Sequence, residues 1–100
     1  MIMETFQAII QGDKPVLVDF FATWCGPCKA MSPIVESIGK EMLGQARVLK
    51  VDVDKNQALA SQYQVQAVPT FILFKKGQVV WRQSGGADKF TLSEKIRSVI

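Results

Sequence analysis

Residues 15–29 read Pro15-Val16-Leu17-Val18-Asp19-Phe20-Phe21-Ala22-Thr23-Trp24-Cys25-Gly26-Pro27-Cys28-Lys29. The first half of this stretch is a nearly continuous apolar run rich in β-formers, broken only by Asp19. Such a run suits a strand buried on both faces, as in a parallel or mixed sheet flanked by helices. The second half opens a long helix. From Cys25 to about Met42, the apolar residues Met31, Ile34, Val35, Ile38 and Met42 fall on one stripe. Pro33 lies inside that helix, where a proline removes a hydrogen bond and is expected to kink the axis.

Working outward, Glu4 to Gln11 carries Phe6, Ile9 and Ile10 at helical spacing, with Gly12 as a stop. Downstream, Arg47 to Val53 alternates, with Leu49, Val51 and Val53 on one face and Lys50 and Asp52 on the other. Asn56 to Tyr63 reads as a short helix. Thr70 to Phe74 and Gln78 to Arg82 read as strands joined by a hairpin at Lys75-Lys76-Gly77. Asp88 is a candidate cap for a last helix carrying Phe90, Leu92, Ile96 and Val99. The order is α-β-α-β-α-β-β-α. It predicts an α/β fold with a central mixed sheet and helices on both faces.

One hundred residues suffice for one domain, taken as residues 1–100. A hydrophobic share of 48% without low-complexity tracts indicates a compact globule. No apolar run approaches the roughly 20 residues that cross a bilayer, so no membrane association is expected. Met1-Ile2-Met3-Glu4 lacks the features of a secretory signal. A cytoplasmic protein is expected, the alternative being the processed form of an exported one. The net charge of +3 is mild and its basic residues are dispersed, which argues against nucleic-acid binding.

Two absences narrow the chemistry. The chain has no histidine, which rules out a Cys–His pair, a Ser–His–Asp triad or a histidine-containing metal site within it. Nor is there a glycine-rich phosphate loop, since Gly85-Gly86 is too short for one. No bound cofactor is expected, and electrons carried by a nucleotide must arrive through a partner protein.

Cys25 and Cys28 span a first helical turn after a buried strand, close enough to close a disulfide. The unpaired N–H groups and dipole at a helix start favour negative charge, lower a thiol's pKa and so supply the attacking thiolate. Pro27 suits an early helical position. Cys25 is then the nucleophile that forms a mixed disulfide with a substrate. Cys28, deeper in the turn, resolves it. Half of a two-chain zinc site and an inert structural disulfide are the bland alternatives. The first lacks ligands in this chain, and the second would constrain the unfolded chain little. CxxC beside a βαβ pattern favours redox chemistry.

The sequence resembles the thioredoxin family in Val18-Asp19-Phe20, Ala22-Thr23-Trp24-Cys25-Gly26-Pro27-Cys28-Lys29, Val68-Pro69-Thr70 and Lys75-Lys76-Gly77, from about Phe6 to the C-terminus. The resemblance implies a thioredoxin fold with a four- or five-stranded sheet. It also implies a monomeric protein-disulfide reductase fed from NADPH by a thioredoxin reductase and acting on client proteins with disulfides. Asp19 resembles the family's buried carboxylate behind the second cysteine. An acid amid Val18, Phe20 and Phe21 would be desolvated, its pKa raised, and able to exchange a proton with Cys28; an Asp facing solvent at a strand end is the alternative. Lys50 resembles the lysine near that acid, with a plain surface lysine as its competitor. Pro69 resembles the family's cis-proline facing the disulfide, which leaves the Val68 backbone free to pair with an extended substrate. Trp24, Gly26, Pro27, Val68 and Gly85 would form a flat docking surface, the alternative for Trp24 being core packing.

Two features depart from the family. Phe21 stands where many members carry a second tryptophan, and Met1 to Met3 leave little room for a strand before the first helix. The competing functions are an oxidase or isomerase of exported proteins and a redox-incidental binding module. The Gly-Pro dipeptide argues against the first, since more oxidising members carry a histidine between the cysteines.

Overall fold

The computed structural model describes residues 5–100. Helix α1 (Phe6–Ile10) is capped by Thr5, whose hydroxyl accepts the Ala8 N–H at 3.1 Å. Strand β1 (Val16–Phe21) follows, then α2 (Gly26–Glu41), β2 (Arg47–Asp52), α3 (Gln57–Gln62), β3 (Thr70–Lys75), β4 (Gln78–Ser84) and α4 (Lys89–Arg97). The strands form one mixed sheet in the order β2-β1-β3-β4. β1 runs parallel to β2 and antiparallel to β3, and β3 is antiparallel to β4. Among the described residues the sheet has four strands. The sequence's query about a further strand falls on Met1 to Met3, outside the described residues.

Because side chains alternate across a strand, β1 feeds two cores. Leu17 joins Phe71 and Leu73 against Met31, Val35 and Ile38 of α2 and Leu92 and Ile96 of α4. Val16, Val18 and Phe20 join Ile72 and Phe74 against Ile10 of α1, with Leu59 and Tyr63 packed alongside. Phe6, Tyr63 and Phe74 close this second core with ring centroids 5.2–5.8 Å apart. Asp19 is therefore on the α2/α4 side of the sheet, at the end where β1 hands over to α2.

Helix α2 runs through Pro33 as one element. Both Pro33 and Lys29, whose carbonyl loses its partner, are exposed residues, so water can stand in for the missing bond. The hairpin turns on Lys76 and Gly77, with φ of 51° and 81°, while Lys75 pairs with Gln78. Two consecutive positive φ values make the type I′ turn that matches strand twist. One expectation fails. Phe90 is 73% exposed, and α4 buries Leu92, Ser93 and Ile96 instead. Two residues before Leu92, Phe90 is turned by about 200° around the helix, away from the sheet. Val99 does pack on the core, from just beyond the helix end.

A candidate dithiol site at the end of the sheet

Strand β1 delivers the chain to the buried Ala22, and a turn places Cys25 at the N-cap of α2. The turn is tied by the Cys25 N–H to the Ala22 carbonyl at 3.2 Å, and Lys29 N–H then bonds the Cys25 carbonyl at 3.2 Å. Gly26 and Pro27 fill the first two helical positions, where no intrahelical N–H is needed. Cys28 comes third and is disulfide-bonded to Cys25, with Cα atoms 5.2 Å apart. The Cys28 N–H also points at the Cys25 Sγ, 3.1 Å away. A sulfur at the cap thus receives one of the helix's unpaired donors, the environment that stabilises a thiolate. Exposure does not rank the two sulfurs, for Cys25 is 4% and Cys28 5% exposed. What separates them is position on the helix: Cys25 is the cap and Cys28 lies deeper in the first turn, as expected.

Facing the disulfide is the Val68-Pro69 bond, which is cis. The Val68 carbonyl oxygen lies 3.7 Å from the Cys25 Sγ. Pro69 is buried, and its carbonyl accepts the Gly85 N–H at 2.8 Å. Gly85 has φ of 89°, a conformation that side chains disfavour. Trp24 is 68% exposed, so it is no core residue, and its indole N–H donates to Asp54 Oδ2 at 2.9 Å. Gly26 and Pro27 are exposed on the same approach to the cysteines.

Asp19 is 1% exposed, and neither carboxyl oxygen has a hydrogen-bond partner. Burial pushes its pKa up to about 6, with the Lys50 charge pulling the other way. The two residues are opposite each other in the β1–β2 register. The Lys50 ammonium does not bond the acid. It donates to Ser32 Oγ at 2.9 Å and sits 4.9 Å from the Phe21 ring centroid. Phe21, Ala22, Cys28, Ser32 and Lys50 line a cleft of about 250 Å³ that brings solvent to Cys28. Lys29 borders it and is otherwise exposed.

Sequence reasoning missed Asp54, Ser32 and the hydroxyl of Thr70, which donates to the Ala67 carbonyl at 2.7 Å. Each partners a residue distant in the chain or in a loop, and none stands out by type or periodicity. Among the described residues, no group of three or more His, Cys, Asp or Glu could hold a metal ion, and no helix is long and apolar enough to cross a membrane.

The family model "Thioredoxin" matches residues 1–98. The chain belongs to the thioredoxin family. It is 44% identical to thioredoxin 1 of Nostoc sp. over 88 residues, which cover 88% of this chain and 82% of that one. It is 45% identical over 95 residues to the bifunctional thioredoxin reductase/thioredoxin of Mycobacterium leprae, matching 95% of this chain but 21% of that longer protein. A solved thioredoxin of Halobacterium salinarum NRC-1, carrying one asparagine-to-glutamine substitution, superposes with a TM-score of 0.86 at 42% identity. That match covers 93% of this chain and 80% of the other. With the Cys25–Cys28 pair, thioredoxin membership makes the protein a disulfide oxidoreductase that works by dithiol–disulfide exchange.

Proposed function

We propose that the exchange runs toward reduction of disulfides in client proteins, with Cys25 as nucleophile and Cys28 as resolving thiol. One observation carries the assignment. The Cys25 sulfur caps α2, takes a backbone N–H at 3.1 Å, and faces the Val68 carbonyl across the open end of the sheet. The Cys25 thiolate attacks one client sulfur, the client S–S bond breaks, and a mixed disulfide forms as one client thiolate leaves. Cys28 then attacks the Cys25 sulfur and frees the second client thiolate. The client gains two electrons and two protons, and the Cys25–Cys28 pair is left oxidised.

Cys28 must lose a proton to attack. Asp19, buried on the α2 side of the sheet and ionised only above about pH 6, is the residue we assign to take it, by way of water in the cleft that Cys28 shares with Ser32 and Lys50. The client docks over Trp24, Gly26, Pro27 and Gly85 and pairs its main chain with that of Val68, next to Pro69. Main-chain pairing tolerates many client sequences. Electrons return from NADPH through a thioredoxin reductase. Support comes from the Mycobacterium leprae relative, whose name joins a reductase and a thioredoxin in one protein. A reducing compartment, the cytoplasm, is the setting that suits this direction.

The test is trapping. Cys28→Ser should accumulate a client-linked mixed disulfide at Cys25, while Cys25→Ser should lose turnover and form none. Undiminished turnover by Cys28→Ser, or an adduct mapped to Cys28 in the wild-type reaction, would overturn the roles.

A further inference from the structure

Arg82 lies in β4, remote in sequence from the cysteines, and its side chain reaches the end of α3. Its Nη1 donates to the Tyr63 carbonyl at 2.6 Å and its Nη2 to the Gln64 carbonyl at 3.2 Å. At that point the helix closes in a Schellman turn, with the Gln64 N–H on the Ser61 carbonyl at 3.0 Å and the Val65 N–H on the Ala60 carbonyl at 2.9 Å. Gln64 takes the left-handed position at φ of 55°, where a glycine is the usual occupant. The guanidinium fork thus meets two successive carbonyls at the negative end of a helix whose turn is built on an ill-suited residue.

The geometry of the following segment gives this contact its significance. Residues 65–68 run from the turn to the Val68-Pro69 bond, and with Trp24 and Val53 they line a cleft of about 150 Å³ beside the disulfide. The exit of the segment is held from just beyond the end of β4, through the Gly85 N–H on the Pro69 carbonyl. β4 and the residue that follows it therefore grip the segment at both ends, through the Arg82 side chain at its start and the Gly85 main-chain donor at its finish. Between those grips, the Thr70 hydroxyl donates to the Ala67 carbonyl. Arg82 is an exposed residue, and water could hydrate the two carbonyls in its absence. Its fork is better explained by where it fixes the chain than by burial.

We infer that Arg82 is a positioning residue for client docking: by clamping the Tyr63 and Gln64 carbonyls it holds the 65–68 segment so that the Val68 main chain can pair with a client while Cys25 attacks. The inference rests on the proposed docking of clients along Val68. It predicts a dependence on substrate type. A protein disulfide flanked by extended chain needs the clamp, whereas a small disulfide without a peptide backbone needs only the cysteines.

The experiment compares wild type, Arg82→Lys and Arg82→Gln, reducing insulin and bis(2-hydroxyethyl) disulfide, with the Cys25–Cys28 potential measured for each. Lysine keeps the charge but cannot present two aligned donors. Both variants are expected to reduce insulin about tenfold more slowly through a higher KM, as misplacement of a docking element does. The small disulfide rate and the potential should stay at the wild-type values. Equal losses on both substrates, or none on either, would overturn the assignment to positioning. If wild type does not favour insulin over the small disulfide, the Val68 docking reading falls and takes the clamp with it. A wild-type preference that survives in Arg82→Lys and Arg82→Gln removes Arg82 alone.

Discussion

Burying the Asp19 carboxyl costs more when it is charged than when it is neutral, and neither of its oxygens has a donor to offset that cost. Its pKa of about 6 exceeds the ordinary 3.8, with burial as the main cause and Lys50 as a partial counterweight. Between those two pH values the folded chain holds a proton that the unfolded chain has released. Stability on this account falls as pH rises through the window, and the whole penalty, on the order of 3 kcal/mol, is present above it. Asp19→Asn should therefore raise stability at pH 7 by about 1–3 kcal/mol and by little at pH 4, as read by urea unfolding at both. An equal gain at the two pH values would contradict the desolvated carboxyl. The same variant should lose the rise in client reduction rate centred near pH 6. Asp19 was legible because an acid inside an apolar strand is conspicuous. The positions of the Lys50 ammonium and the Trp24 indole were not, since their partners Ser32 and Asp54 are unremarkable polar residues in sequence.

At the scale of elements, two turns are closed by residues that pay a conformational penalty. Lys76 and Gln64 both have positive φ, and both carry a Cβ that crowds the backbone there, at about 1 kcal/mol each. Lys76→Asn should stabilise by about 0.5 kcal/mol and Gln64→Gly by less, because glycine also loosens the unfolded chain. Denaturation midpoints check this; destabilisation by either change would contradict the turn assignment. These two turns also mark what could be read beforehand. Lys75-Lys76-Gly77 announced the hairpin because glycine follows two polar residues between apolar runs. The end of α3 gave no such sign, for its closing residue is a glutamine and its clamp, Arg82, comes from another strand. Phe90 misled because an aromatic near Leu92 looks like core until the helical rotation between them is followed.

At the scale of the whole molecule, the fold follows from β1, whose two faces demand a helix layer on each side. Element order, the mixed sheet and the place of the cysteines at its end were legible for that reason. The continuous burial of β1 and β3 and the apolar stripe of α2 leave few other arrangements. The facing of Val68 to Cys25 was not legible from pattern, since 43 residues separate them and only the folded sheet brings them together. What the fold does not dictate is the direction of exchange, because the same dithiol can reduce or oxidise according to its potential. The reduction potential of the Cys25–Cys28 pair, equilibrated against a glutathione or dithiothreitol series at pH 7, therefore tests the central claim most directly. The account predicts a value near the family figure of about −270 mV, taken over from thioredoxin itself rather than derived from these residues. A value near the roughly −120 mV of a strong dithiol oxidant would contradict the reductase reading and make this protein a donor of disulfides instead.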